Sequence, residues 1–289
     1  MRPIRPILSV LAAVAVVAGA AACGSSSSSS SSGPPAATGA FHVSSSRLIS
    51  SGKLTYCTDF PAPPQEMYTT SGQAEGSDID TGNAVAKQLG LSPVYVNTSF
   101  DTIIEALQTG KCDLIITGIF ITPPRQKQID FVPYFTAGQQ LLAAKGNPQH
   151  LAPTYSALCG KTIATQIGDA ELMTAQQFSK QCQNAGKPAI KILSSEKVDT
   201  ALQQVTTDRA AAFFYDSPLI AYYVHTQPSQ FQAAGPAIDT VLEGIGVAKS
   251  HQALYNAVAA AMKHIETNGQ YAVILKKWGL QDTKVPPIP

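Results

Sequence analysis

The sequence predicts an α/β fold built from two α/β units. Three observations carry this. The runs DLIIT (113–117) and AAAFFY (210–215) are almost wholly apolar, as strands covered on both faces of a parallel sheet require. Each run closes a stretch in which strand-like and helix-like periodicity alternate. The chain has 289 residues, 44% of them apolar, enough for two lobes that each bury a core.

The elements follow in order. KLTYCT (53–58) alternates and runs into a turn with Pro61, Pro63 and Pro64. Gly76-Ser77-Asp78 offers a helix cap, with Asp80 in the first turn. Ile79, Val85, Ala86 and Leu89 share a helical face that Gly90 ends. PVYVN (93–97) is a second strand. Phe100, Ile103, Ile104 and Leu107 keep helical spacing up to Gly110, and DLIIT is the third strand. The pattern β-α-β-α-β then recurs: a strand at 161–165, a helix at 169–184 closed by Gly186, a strand at 189–193, a helix at 197–205 and the strand AAAFFY. The two units separate near residues 134–145. Ser250 is placed to cap a helix carrying Leu254, Val258, Ala261, Met262 and Ile265, and Gly269 divides it from a last helix over 271–278.

Open parallel sheets bind ligands at the carboxyl ends of their strands. Two such units facing each other put a site in the cleft between them. The positions to inspect are therefore Thr58-Asp59, Thr117-Gly118, the segment 165–170, and Tyr215-Asp216.

Composition excludes several functions. Lys and Arg total 20 and Asp and Glu 19, a net charge of +1, so there is no footprint for a phosphate backbone and no nucleic-acid partner is expected. The five histidines are scattered and no CxxC occurs, so neither a metal nor a cofactor is expected. Gly160-Lys161-Thr162 resembles the end of a phosphate loop, but Tyr155 stands where its first glycine must be. There is no GxSxG or HExxH.

The first residues read as an address. Arg2 and Arg5 precede an uncharged apolar run from Ile7 to Ala22, too short for a spanning helix and shaped like a secretory leader over 1–22. Small residues directly before Cys23 resemble a bacterial lipobox, in which that cysteine is acylated; Ala20 departs from the usual Leu. Eight serines, then Gly33-Pro34-Pro35, make 23–46 a flexible tether. The expectation is an extracytoplasmic protein held to the outer face of the membrane by lipid. In that oxidising setting the remaining four cysteines pair. Cys57 and Cys112 belong to strands of the first unit, while Cys159 and Cys182 flank one strand and helix of the second. Of the three possible pairings, 57–112 and 159–182 is expected.

Four segments occur in one order: KLTYCTDFPAPPQE, GSDIDTGNAVAKQLGL, FDTIIEALQTGKCDLIITGIFITPPRQKQIDFVPYF and NGQYAVILKKWGL. Together they resemble the bacterial extracellular solute-binding proteins of family 3, the polar amino acid binders of ABC importers. The resemblance covers nearly all of 47–281. It implies a two-lobed clamp of the type II periplasmic-binding-protein fold, each lobe a mostly parallel sheet flanked by helices, with a hinge of two crossing strands. Lobe 1 would take 47–134 plus 243–289, and lobe 2 135–242. The implied activity is capture of a small polar solute by a monomer and delivery to a permease.

A zwitterionic ligand explains which residues matter. Its carboxylate suits a planar guanidinium, and Arg125 in Ile121-Thr122-Pro123-Pro124-Arg125 matches the family's carboxylate-binding Arg. Thr117 and Gly118 stand beside it at a strand end. Asp216 matches the family's ammonium-binding Asp, and is equally placed to cap a helix before Ser217-Pro218. Asp59 matches an acid lining the side-chain pocket. With Glu66, it suits a basic or amide-bearing side chain; turn or cap roles are the alternative for both. The sequence departs from the family where Ala62, Gln65 and Phe120 replace a Tyr, a Phe and a Ser, and where Gly168-Asp169-Ala170 replaces Gly-Thr-Thr. Gly168 still permits close backbone approach, Ala170 has no hydroxyl for the carboxylate, and Asp169 would repel a carboxylate or meet a cation. Phe60, Phe120 or Tyr215 could supply the missing stacking ring. Two rival readings remain: an exported dehydratase-like or cell-wall enzyme with Glu66 as its acid, and a ligand-binding sensor.

Overall fold

The computed structural model describes residues 48–282. The expected leader, the acylated Cys23 and the tether lie outside the described residues.

β1 (Lys53–Thr58) leads through the proline turn to a short hairpin, β2 (Met67–Tyr68) and β3 (Ala74–Glu75). Then come α1 (Ser77–Gln88), β4 (Ser92–Asn97), a single 3-10 turn at Phe100–Thr102, α2 (Ile103–Gln108), β5 (Leu114–Ile115) and α3 (Pro123–Gln126). β6 (Ile129–Ala144) is a 16-residue strand. It is followed by α4 (Tyr155–Leu158), β7 (Thr162–Gln166), α5 (Ala170–Asn184), β8 (Lys191–Ser195), α6 (Val198–Thr206), β9 (Ala212–Asp216) and α7 (Ser217–Thr226). β10 (Phe231–Ala233), β11 (Ile238–Ala248), α8 (Gln252–Thr267) and α9 (Gln270–Lys277) complete the described chain.

The main sheet runs in the order β4-β1-β5-β11-β6-β9-β7-β8, with β10 added alongside β6. β4, β1 and β5 are parallel, as are β9, β7 and β8. These groups are the two predicted α/β units. They are joined by β6 and β11, which pair antiparallel along most of their length. β11 ends paired with β5 of the first group, and β6 ends paired with β9 of the second. The expected lobe limits near 134 and 243 fall within these two strands.

Both faces of each parallel group are covered, as the apolar runs require. Along β1, Tyr56 faces the core formed with α1, α8 and α9 (Val85, Val258, Met262, Ile265), whereas Cys57 faces the core formed with α2 (Ile103, Leu107). In the second unit Phe213 and Tyr215 of β9 join α6 and α7, while Phe214 joins α5 on the opposite face. Alternation along a strand sends neighbours to opposite faces. The disulfide Cys57–Cys112 ties β1 to the segment entering β5, and Cys159–Cys182 ties the turn after α4 to α5.

Several expectations are corrected. Ser250 does not cap α8: His251 holds the N-cap position, and Ser250 belongs to the turn leaving β11. Within the expected cap segment Gly76-Ser77-Asp78, Gly76 takes the N-cap position of α1. Its φ is +140°, and a Cβ there would lie 2.0 Å from the Gln65 carbonyl oxygen, so the position admits only glycine. The strand expected at 113–117 forms a ladder over Leu114–Ile115 alone, although the Asp113 and Ile116 N–H groups on either side still donate to the Thr55 and Cys57 carbonyls of β1; the Asp113 carboxylate accepts from the Ile49 and Thr55 N–H groups.

Candidate functional site

The strand ends converge as expected. Between them lies a cavity of about 10 Å³ lined by Phe100, Gly118, Phe120, Arg125, Asp169, Ala170, Glu171, Tyr215 and Asp216. That is room for about one water molecule. The two halves are therefore closed onto each other. A second, larger cavity of about 390 Å³ adjoins it, reached past Arg125, Gly168 and Met173.

Arg125 stands on the short α3, where Pro123 and Pro124 fill the first helical positions, which need no N–H donor. Its Nη1 donates to the Phe120 carbonyl at 2.8 Å, which fixes the fork. Its Nη2 donates across the cleft to the Gly168 carbonyl at 3.0 Å. The guanidinium lies 5.2 Å over the Phe100 ring. Burial lowers its pKa, and Glu171, Asp169 and Asp216 oppose that shift. At Gly168 the backbone approaches closely: its φ is +85°, and a Cβ would meet the Asp101 Cα at 2.9 Å.

Asp216 closes β9 at the N-cap position of α7, yet its side chain makes no capping bond. The carboxylate instead faces the cavity and pairs with Glu171. Glu171 was not anticipated. It is 1% exposed, and its Oε1 has no hydrogen-bond partner. Burial first, then Asp216, pushes the Glu171 carboxyl well above the ordinary range. Burial first, then Glu243, does the same to Asp216.

Asp169 carries a structural role in addition to its place at the cavity. Its Oδ1 accepts from the Leu172 N–H and its Oδ2 from the Gln166 N–H. It is the N-cap of α5 and also lines the cavity, with its carboxylate held by its own backbone. Ala170 lines the cavity without a polar group.

Asp59 and Thr117 meet beside the cavity: the Asp59 N–H donates to Thr117 Oγ1 at 3.0 Å, and Thr117 donates to Glu66 Oε1 at 2.7 Å. Both carboxylate oxygens of Asp59 are taken by the opposite half, one by Gln166 Nε2 and one by Lys197 Nζ. Burial raises the Asp59 pKa and Lys197 counters it. Glu66 does not reach the cavity. It lies beneath the Thr117–Gly118 turn in a buried cluster with Asp78 and Glu243, and burial, followed by Asp78, holds its carboxyl well up. Asp78 accepts from the Gly118 N–H at 2.9 Å and the Tyr134 hydroxyl at 2.7 Å. Burial pushes its pKa up to about 7. Gln65 donates to Glu243 at 2.6 Å, so the residue standing for the family's Phe serves this cluster. Gly118 has φ +57°, and a Cβ would crowd the Gln65 amide.

Of the candidate rings, Phe120 and Tyr215 line the cavity, Tyr215 also stacking on Phe213, while Phe60 stacks on Tyr68. Phe100, not a candidate from sequence, lies under the guanidinium. Asp59, Glu66, Asp78, Asp169, Glu171, Asp216 and Glu243 are all buried. Burial raises the pKa of each. Arg125 and Lys197 are the cations the cleft sets against them. Such an excess of desolvated acid favours a ligand that brings positive charge.

The sequence matches the bacterial extracellular solute-binding proteins, family 3, over residues 54–281. The arginine-binding protein ArgT of Corynebacterium glutamicum is 30% identical over 236 residues, which cover 81% of this chain and 77% of that protein. Among solved structures, an ancestral arginine-binding protein bound to arginine superposes with a TM-score of 0.72 at 32% identity, covering 78% of this chain and 98% of that one. The ancestral amino acid-binding protein AncCDT-1, described as a precursor of cyclohexadienyl dehydratase, gives a TM-score of 0.71 at 33% identity, with 78% and 95% covered. The fold is the two-lobed clamp of these binding proteins.

Proposed function

This chain belongs to the bacterial extracellular solute-binding proteins, family 3, and from that membership we propose that its clamp captures an α-amino acid with a basic side chain for an ABC importer. One observation carries the reading: the Arg125 fork and the Asp216–Glu171 carboxyl pair face the same cavity from opposite lobes. The ligand carboxylate meets Arg125, and its ammonium meets Asp216. The side chain extends toward Asp59. Thr117, Gly118, Phe120, Gly168 and Ala170 shape the walls. The arginine-binding relatives agree with the acid-rich cleft.

The cavity between the strand ends has no room for an amino acid, so capture there begins from an opened clamp. Closure is favoured by a ligand that touches both lobes at once, because only the closed form makes both sets of contacts. β6 and β11 are the segments through which such a motion passes, and their pairing already shifts register between Ile238 and Val241 and between Glu243 and Gly244.

Delivery follows from anchoring. Cys23 carries lipid, residues 24–46 tether the clamp to the outer face of the membrane, and the closed monomer docks on its permease. No helix among the described residues is long and apolar enough to cross a membrane. Replacing Cys23 by Ala releases the protein from the membrane fraction; retention there contradicts the anchor. The enzyme reading loses its acid, since Glu66 is engaged by Thr117 away from the cavity.

A thermal-shift screen against amino acids, amines, opines and small carboxylates tests the function, since a ligand of the folded state raises the melting temperature by mass action. Stabilisation by arginine, lysine or ornithine is expected. Stabilisation only by molecules without an α-amino group removes the role of Asp216, and product formation during incubation restores the enzyme reading.

A further inference from the structure

Lys197 is the N-cap residue of α6 in the second lobe, yet its ammonium rests on Asp59 of the first lobe. It also lies 3.5 Å from the Asn97 side-chain oxygen. Gln166 completes the capture: its amide donates to the other oxygen of Asp59 and to the Glu196 carbonyl at 3.0 Å, while its own oxygen accepts from Tyr215 at 3.1 Å. Asp59 is only 3% exposed, whereas the Lys197 side chain is 32% exposed. The acid is fixed and the cation can leave. A lysine stem is long and flexible, and its head is well solvated once it swings outward.

The other end of the cleft is satisfied in the same manner, because Arg125 spends one edge of its fork on the Gly168 carbonyl of the opposite lobe. The protein's own groups thus make the cross-cleft contacts that a ligand would make.

We propose that Lys197 is a specificity-determining residue, a tethered cation that occupies on Asp59 the place taken by the distal charge of a basic amino acid. This rests on the amino-acid reading above. Ligand and Lys197 compete for one buried carboxylate, so a basic ligand must displace Lys197 and then tolerate its positive charge nearby. A ligand with a neutral amide avoids both penalties. Lys197 therefore narrows the preference for basic over amide side chains that the acid-rich cleft sets up.

The test is calorimetric titration of the purified protein with L-arginine and L-glutamine, for the natural sequence, Lys197→Met, Asp59→Asn and the double variant. The arginine-to-glutamine affinity ratio should rise roughly tenfold in Lys197→Met, the scale of one partly exposed ion pair in a closed cleft. In the Asp59→Asn background the same substitution should leave the ratio where it was. An unchanged or lower ratio in Lys197→Met overturns the inference, because a lysine that merely bridges the lobes would not move it in that direction. Lys197→Gln repeats the comparison with a side chain that keeps polarity, and must move the ratio the same way. If the natural protein binds neither amino acid while binding other solutes, the amino-acid reading fails and this inference falls with it.

Discussion

Arg125→Ala is the most informative single change at the cleft. In the closed form the guanidinium makes two hydrogen bonds, at 2.8 Å to Phe120 and 3.0 Å to Gly168. The first lies within its own lobe and sets the fork. The second crosses to the other lobe, along the edge offered to a ligand carboxylate. A bound carboxylate gains two charge-assisted bonds from such a fork, each worth about 1.5–3 kcal/mol when one partner is removed. Arg125→Ala should therefore weaken amino-acid binding by about 3–6 kcal/mol, roughly a hundredfold to ten-thousandfold. Arg125→Lys keeps the charge but not the planar fork, so it should recover only part of the loss. The substitution also removes the cation facing Glu171, Asp169 and Asp216, which then resist ionisation more strongly. Calorimetry reads the affinity, and circular dichroism confirms that the variant is folded. A folded Arg125→Ala protein that binds within about threefold of the natural one, under half of one such bond, refutes the assigned pose.

Three further outcomes are expected. Burial pushes Asp78 up to about 7, so its protonated form favours the folded state. That contribution is complete below the ordinary carboxylate pKa near 4 and is lost as pH rises through about 7, at most about 4 kcal/mol. The melting temperature should be higher at pH 5.5 than at pH 8, with Asp78→Asn flattening the difference; a protein more stable at pH 8 contradicts this. Gly168→Ala places a Cβ against Asp101 at φ +85°, disfavouring closure by about 1–3 kcal/mol. Ligand affinity should fall about fivefold to a hundredfold, and small-angle scattering with ligand should show a more open particle than the natural protein; full closure contradicts it. Replacing Cys182 by Ser opens a link between residues 23 apart in sequence and should cost about 3 kcal/mol in denaturant unfolding. A loss below about 0.5 kcal/mol would mean that the loop is constrained by other contacts.

The parallel strands were legible because burial on both faces leaves a continuous apolar run, and DLIIT and AAAFFY are such runs. β6 was not. Pro133 and Gly138 interrupt its pattern, and Pro133 sits opposite Gly244 where the pairing shifts register, a place that tolerates a missing N–H. Its two ends also serve different cores, so no single alternation runs along it. Strand-end logic pointed to Asp59 and Asp216 as candidates, because the chemistry there depends on where a strand stops, whereas Arg125 came from the resemblance to the family and stands on the short α3. That logic failed for residues whose meaning comes from the opposite lobe. Lys197 and Gln166 reach Asp59 from more than a hundred residues away in sequence, and nothing local distinguishes them from a solvated helix start and a strand end. In sequence Glu171 is indistinguishable from any acid in the first turn of a helix, while its burial with an unpartnered oxygen exists only in the assembled cleft. Asp169 adds a role that its place beside Gly168 did not signal: its side chain also caps α5.

The central claim is that the cleft reads both charged ends of an α-amino acid, Arg125 at the carboxylate and Asp216 at the ammonium. Calorimetry of the purified protein with L-arginine, agmatine and N-acetyl-L-arginine tests this most directly, because the second lacks the carboxylate and the third the ammonium. L-arginine should bind at least about a hundredfold more tightly than either, reflecting one lost charge-assisted contact set in each case. Equal affinity for L-arginine and agmatine, or for L-arginine and its N-acetyl derivative, would contradict the account.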